Sequence, residues 1–156
     1  MMDMVQHERF MQQAYQEALK ALDEGEVPVG AVMVRDNRII ARGYNRIESL
    51  SDATAHAEII AIGAASQACE SWRLNDCTLY VTLEPCMMCL GAILQARIPS
   101  VVYAADDPRY GAIASNNHKP VVDASYKWFP QFLPGIMRDE CSYLLKRFFS
   151  DLRKKS

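Results

Sequence analysis

Two short segments hold the residue types that could carry chemistry: H-A-E at residues 56–58 and P-C-M-M-C at residues 85–89. A helix brings residues i and i+3 onto one face, so Cys86 and Cys89 can present both sulfurs to one ligand. At a helix N-terminus the dipole and the free N–H groups lower thiol pKa values, and the thiolate is the form that binds zinc. Because proline is tolerated in a first helical turn, Pro85 predicts that the pair lies there.

The C-x-x-C spacing alone is compatible with a thiol redox pair, with half of a structural zinc site, or with chance. A redox pair leaves His56 and Glu58 unexplained. Together, His56, Cys86 and Cys89 form a set of three ligands, which leaves the fourth tetrahedral position open for water, as in catalytic zinc sites. The sequence therefore predicts one Zn²⁺ per chain, bound by these three residues.

Glu58 is the candidate proton carrier. Residues i and i+2 do not share a face in a regular helix, so His56 is predicted to lie in an irregular first turn. The apolar run at residues 59–62 predicts that this turn is buried. A buried carboxylate needs a partner or a catalytic purpose, which makes Glu58 the expected acid–base residue.

Composition limits the classes of protein that the chain can be. Its 156 residues predict a single domain over residues 1–156, and no apolar run reaches 18 residues, so no membrane span or membrane partner is expected. The first residues do not resemble a secretory signal, and the odd count of five cysteines favours a reducing compartment. The net charge of −2 argues weakly against a protein that coats nucleic acid.

The C-terminal end has the opposite charge balance. Residues 141–156 contain one acid, Asp151, and five bases. These bases either contact phosphates or form a solvated helix end whose cations complement the helix dipole. They are Lys146, Arg147, Arg153, Lys154 and Lys155.

Hydrophobic periodicity predicts alternating helices and strands. Helices are expected at residues 3–24, 55–68, 84–97 and 135–154, and strands at 27–34, 39–44, 78–83 and 101–104. Residues 106–125 read as a loop, and residues 128–133 as a short fifth strand that Pro130 confines to an edge. The predicted fold class is α/β, a three-layer α/β/α sandwich around a mixed five-stranded sheet.

The two motifs together match the zinc deaminase signature H-x-E…P-C-x-x-C. Within that superfamily the chain most resembles the bacterial tRNA adenosine deaminases, through segments that extend over most of residues 10–149. Examples are E-V-P-V-G at 26–30, G-Y-N-R at 43–46, T-L-E-P-C-M-M-C at 82–89 and D-E-C at 139–141. Residues 126–130 and Ala114 depart from the family pattern, which has a different segment before the last strand and often a glycine at the latter position.

This resemblance implies a cytidine deaminase-like fold and the hydrolytic deamination of adenosine to inosine at the wobble position of a tRNA anticodon. It implies zinc ligation by His56, Cys86 and Cys89, proton transfer by Glu58, and no nucleotide cofactor. The implied partners are a tRNA anticodon stem-loop and a second copy of the chain, in a cytoplasmic homodimer. Substrate contacts are implied for Asn45, for the pocket residues Val27, Pro28 and Leu83, and for Asp107 and Phe148 or Phe149 along the RNA path.

Two alternatives share the metal motif. A deaminase of a free base or nucleoside, of the guanine or cytosine type, would use the same zinc ligands. A non-catalytic, zinc-stabilised RNA-binding subunit would have no need of Glu58.

Overall fold

The computed structural model describes residues 3–155. Eleven helices and strands follow one another in this part of the chain. They are α1 (Met4–Asp23), β1 (Gly30–Arg35), β2 (Arg38–Tyr44), α2 (Ile47–Leu50), α3 (Ala57–Cys69), β3 (Thr78–Leu83), α4 (Met87–Gln95), β4 (Ser100–Ala105), α5 (Lys119–Ser125), β5 (Gln131–Pro134) and α6 (Arg138–Lys155).

The five strands form one mixed sheet in the order β2-β1-β3-β4-β5. Strand β1 is antiparallel to both β2 and β3, whereas β3, β4 and β5 run parallel to one another. The parallel pair β3–β4 is joined through α4, as the strand–helix–strand pattern predicts. This arrangement confirms the predicted mixed sheet and its fifth edge strand.

Helices cover both faces of the sheet. On one face, Phe10 and Met11 of α1 pack with Cys141 of α6 against Val32 and Tyr80 of the strands. On the other face, a second cluster joins the buried alanines of α3 with α4 and the opposite side chains of the same strands. The predicted three-layer α/β/α sandwich is confirmed.

Strand β2 and helix α3 approach each other closely at Gly43. A Cβ at this position would overlap the backbone of Ala57 and Ala61, so only glycine allows the contact. This close packing places the N-terminus of α3 beside the end of β2. The segment that follows β3 lies on the same side of the sheet, and the two motifs therefore meet.

Several helix boundaries differ from their predicted positions. Helix α4 begins at Met87, three residues later than expected, because residues 84–86 stay extended and pair with the loop after β4. Pro85 thus precedes the N-cap residue Cys86 and is not part of the first turn. Helix α3 begins at Ala57 with His56 as its N-cap residue, and α6 begins at Arg138.

The prediction of a loop over residues 106–125 is wrong at its end, where α5 forms. Pro120 lies in the first turn of this short helix, and Val122 is buried against Leu90 and Leu94 of α4. Residues 119–125 have no clear helical spacing of apolar side chains, so the sequence does not predict this packing. Strand β5 begins just after Pro130, where the chain can donate its ladder hydrogen bonds again.

None of the helices formed by residues 3–155 has the length and apolarity needed to cross a membrane.

Candidate active site

Two helix N-termini bring the three predicted metal ligands together. His56 is the N-cap residue of α3 and Cys86 is the N-cap residue of α4, with Cys89 one turn further on. His56 Nδ1 lies 3.7 Å from Cys86 Sγ and 3.5 Å from Cys89 Sγ. Within residues 3–155, these three residues form the only cluster with metal-ligand geometry, and their ligand atoms lie within 4.8 Å of one another.

The spacing of these atoms fits a tetrahedral metal ion. Zn–S bonds of about 2.3 Å and Zn–N bonds of about 2.0–2.1 Å, at a tetrahedral angle, separate sulfur from nitrogen by about 3.6 Å. The two observed sulfur–nitrogen distances, 3.7 and 3.5 Å, bracket this value. Two thiolates and one imidazole are also the donors that zinc prefers.

The protonation states of His56, Cys86 and Cys89 also favour a bound metal ion. The Cys89 thiol donates a hydrogen bond to Cys86 Sγ, and this bond together with His56 lowers the pKa of Cys86 to about 4. The same bond and burial raise the pKa of Cys89. Contact with Cys86 raises the pKa of His56. Two sulfurs this close ionise together only when a cation neutralises them, so the residues can hold a metal ion.

Glu58 is buried beside this group. It lies in the first turn of α3, where its side chain is 4% exposed, and burial raises the pKa of its carboxyl to about 7. The Cys89 thiol lies beside this carboxyl. A carboxyl in this environment exchanges protons readily near neutral pH, which is the behaviour of a general acid–base group.

A cavity of about 850 Å³ opens onto the group, and His56, Glu58 and Cys86 lie in its wall. This volume lies within the range of small-molecule sites and accommodates a nucleoside. The cavity walls come from the segment before β1, the ends of β2 and β3, the first turn of α4, the loop after β4, and α6.

The structure places five of the predicted substrate residues in the cavity wall and two outside it. The five are Val27, Asn45, Leu83, Asp107 and Phe149. Pro28 is buried, and its neighbour Val29 lines the wall instead. Phe148 is half-buried, and of the two adjacent phenylalanines Phe149 alone lines the wall. The chain turns tightly at Pro28, since the N–H of Val29 donates to the carbonyl of Val27 at 2.8 Å, and the two flanking valines line the cavity.

The sequence of the chain is related to known deaminases throughout its length. The sequence model of MafB19-like deaminases matches residues 5–131. The tRNA-specific adenosine deaminase of Bacillus subtilis is 41% identical over 97% of this chain and 94% of its own length. This chain belongs to the tRNA-specific adenosine deaminase family. The signature motifs therefore identify the family correctly.

Other relatives agree with this assignment. The chloroplastic tRNA(adenine(34)) deaminase of Arabidopsis thaliana is 48% identical over 91% of this chain, which spans only 12% of that longer protein. A solved structure from work on A-to-I editing by tRNA:A34 deaminases has a TM-score of 0.83 and 43% identity, covering 88% of this chain and 99% of its own. A guanine deaminase from Bacillus subtilis has a lower TM-score of 0.61 with 39% identity, over 77% of this chain and 70% of that one.

In this deaminase, Asn45 contacts two parts of the site. Its Oδ1 accepts a hydrogen bond of 2.8 Å from the backbone N–H of Ala57, and its Nδ2 donates to the carbonyl of Val27 at 3.2 Å. The first bond fixes the start of α3 next to His56. The Nδ2 group has a second hydrogen for another acceptor.

Several cavity residues of the deaminase were missed at the sequence level. They come from elements whose packing the sequence does not show, and they are Val29, Ile47, Glu84, Met87, Met88, Asp106, Pro108, Arg109, Tyr110 and Leu145. The repeated methionines next to Cys86 offered a signal, because the first turn of the ligand helix must border the metal site. The loop residues offered none, because their position depends on contacts with Glu84.

The departure at Ala114 is compatible with the backbone of this deaminase. Its φ angle is not positive, so alanine adopts the required conformation without strain. Its N–H donates to the Glu84 carboxylate at 3.0 Å.

Proposed function

We propose that this protein is the enzyme that hydrolyses adenosine to inosine at the wobble position of a tRNA anticodon. The observation that carries the proposal is the buried Glu58 beside the His56, Cys86 and Cys89 group, at the wall of a cavity that accommodates a nucleoside. Family membership supports adenosine in tRNA as the substrate, since relatives that match 91% and 97% of this chain are named for it.

His56, Cys86 and Cys89 hold one zinc ion per chain. A zinc ion held there would supply Lewis acidity, which helps to generate a nucleophile from water at neutral pH. The two helix N-termini hold the ligands in place. Asn45 accepts a hydrogen bond from the N–H of Ala57, and this bond fixes the turn that contains His56. The first turn of α4 fixes the spacing of the two sulfurs.

Glu58 moves the protons of the reaction. Attack of water on adenine C6 releases one proton, which Glu58 accepts and delivers to N1. Collapse of the adduct breaks the C6–N bond, and Glu58 passes the second proton of the water to the departing ammonia. Its burial next to the ligand group keeps this carboxyl within reach of both the water and the base.

The base enters the cavity turned out of the anticodon loop, because C6 is not accessible in a stacked base. Val27, Val29 and Leu83 provide apolar surface for the base, and Asn45 offers its remaining N–H hydrogen as a hydrogen-bond donor. Asp107 and Phe149 lie further along the wall, on the path of the RNA.

The C-terminal helix binds phosphates through one of its faces. Phe149 lines the cavity, and Lys146 and Arg153 lie three residues before and four residues after it, on the same face of α6. Replacing both with alanine is expected to weaken binding of an anticodon stem-loop and to reduce the salt slope of log K by about 1.4–1.8. Binding is measured by fluorescence anisotropy over a salt series.

The matched control removes the same charge from a different face. Arg147 and Lys154 are also exposed but lie two residues before and five after Phe149. Their double alanine variant is expected to retain most of the wild-type affinity. An unchanged salt slope in the Lys146 and Arg153 variant indicates a merely solvated helix end and contradicts the phosphate contacts.

The enzyme acts as a homodimer. Met87 lines the cavity and is 66% exposed although it is large and apolar, which suits contact with a second copy of the chain. Light scattering at micromolar concentration is expected to give twice the mass of the chain. A monomer mass that does not change when RNA is added contradicts the homodimer.

The test of the proposed function compares two RNAs. An anticodon stem-loop with adenosine at the wobble position is incubated with the zinc-loaded protein, and inosine is detected by mass spectrometry of the nucleosides. The same stem-loop with guanosine at that position is the control and is expected to remain unchanged. Absence of inosine from the adenosine RNA, with zinc bound, contradicts the proposal.

A further inference from the structure

Glu84 is a buried acid that the proposed reaction does not use. It is 2% exposed and follows directly after β3, two residues before Cys86. None of the ion pairs that the structure shows within residues 3–155 includes it. A carboxylate taken out of water without a cation must be stabilised by hydrogen bonds, and the donors identify what the residue holds.

All of these donors come from one segment, residues 107–115. Oε2 accepts from the consecutive backbone N–H groups of Ile113, Ala114 and Ser115 at 2.9, 3.0 and 3.1 Å. Oε1 accepts from the N–H of Asp107 at 3.1 Å and from the Ser115 hydroxyl. Successive N–H groups that converge on one oxygen form an anion-binding nest, so the side chain acts as an internal anion around which the loop folds.

The same loop is attached to the segment that provides a metal ligand. Gly111 packs directly on the Glu84 carboxylate, and a Cβ at this position would overlap it. Gly111 also forms an antiparallel bridge with Cys86, and the N–H of Ala112 donates to the carbonyl of Pro85 at 2.9 Å. The loop is therefore held in register with the metal site.

The loop presents its tip to the cavity. Asp107 Oδ1 accepts from the N–H groups of Arg109 and Tyr110, both at 3.2 Å, and these residues with Pro108 line the cavity wall. Tyr110 is 60% exposed, and the guanidinium of Arg109 lies 5.0 Å from its ring centroid. An exposed aromatic ring next to a cation is a surface that suits a nucleobase and a phosphate.

We propose that Glu84 is a positioning residue for the RNA substrate: its carboxylate holds the loop of residues 107–115 in the conformation that places Arg109 and Tyr110 against the nucleotides beside the reacting base. The inference rests on the proposed function. It assigns Glu84 an effect on substrate binding and no part in proton transfer or metal binding.

The substitution Glu84→Gln tests this role with almost no change of volume. The amide has a single acceptor oxygen, and its NH₂ group faces N–H donors, so two or three of the five hydrogen bonds are lost. The KM for the wobble-adenosine stem-loop is expected to rise roughly 10-fold to 100-fold, with kcat little changed and zinc content unchanged. Gly111→Ala, which displaces the carboxylate, is expected to raise KM in the same way.

The control is Glu17→Gln, which replaces an equally buried acid on α1 whose partners are Lys20 and Arg42. It is expected to lower the thermal midpoint without a change in KM. A wild-type KM in Glu84→Gln, or a loss confined to kcat, contradicts the positioning role. If the wild-type enzyme itself does not convert the RNA, the proposed function fails instead.

A measurement on the unaltered protein keeps the inference testable if Glu84→Gln does not fold. The amides of Ile113, Ala114 and Ser115 lie in a loop, yet their bonds to a buried carboxylate predict slow hydrogen exchange, similar to that of strand amides. Exchange as fast as that of an open loop contradicts the role of Glu84 in holding this segment.

Discussion

The variant Glu58→Gln is expected to bind zinc and fold normally while losing nearly all deaminase activity. Glutamine has almost the same volume and fills the same buried position, but it can neither accept the proton of water nor deliver one to N1 or ammonia. General acid–base groups typically contribute 10²–10⁴-fold to the rate. Since Glu58 serves several proton transfers, we expect the rate constant of inosine formation to fall about 10⁴-fold. This rate constant is measured under single-turnover conditions.

Glu70→Gln is the matched control for this variant. Glu70 is exposed at the C-cap of the same helix. Its substitution removes a carboxylate at the end of α3 without altering the cavity, so full activity is expected. Retention of more than about a tenth of the wild-type rate in Glu58→Gln excludes the acid–base role. Loss of zinc from Glu58→Gln identifies the residue as a ligand or a structural support.

Removal of a ligand has a different signature. Cys86→Ala is expected to reduce the zinc content from about one per chain to a small fraction, and turnover should fall with it. The thermal midpoint should also fall, because an ion that binds only the folded state stabilises that state. Metal analysis and calorimetry on the same preparation measure the effects together.

Cys69→Ala provides the control for the ligand variant. Cys69 lies at the end of α3, where its sulfur accepts a hydrogen bond from Arg35, outside the ligand group. The Cys69→Ala variant is expected to retain both the zinc ion and the deaminase activity. Full zinc content in Cys86→Ala contradicts the assignment of this residue as a ligand. The Glu58 and Cys86 variants thus separate proton transfer from metal binding.

The metal group was predictable from sequence because its geometry is local. The i, i+3 spacing of Cys86 and Cys89 depends only on a helical turn, and the acidic residue two positions after His56 reflects the start of a helix. The pairing of His56 with the two cysteines followed from ligand chemistry, because three such ligands leave the open position of a catalytic zinc site, and the family resemblance supports it. The layers of the sandwich followed from hydrophobic periodicity, which is strong in long elements such as α1.

The parts that sequence did not predict depend on contacts between distant residues. Helix α5 is stable because Val122 packs on α4, and no local pattern shows this. Glu84 reads as a first-turn helix acid, whereas in the structure it binds residues 107–115 far along the chain. The resemblance implies a place in the cavity wall for Pro28, whereas a tight turn at this residue leaves the wall to Val27 and Val29, and the sequence does not show this turn.

The most direct test of the account compares kcat/KM for an RNA substrate with kcat/KM for free substrates. The zinc-loaded enzyme is given an anticodon stem-loop with wobble adenosine, and in parallel adenosine, cytidine, cytosine and guanine, with ammonia release and nucleoside analysis as readouts. The stem-loop is expected to be converted to its inosine form, with a kcat/KM higher than the kcat/KM for each free base and nucleoside. Rapid release of ammonia from guanine or cytosine, with no inosine in the RNA, would contradict it.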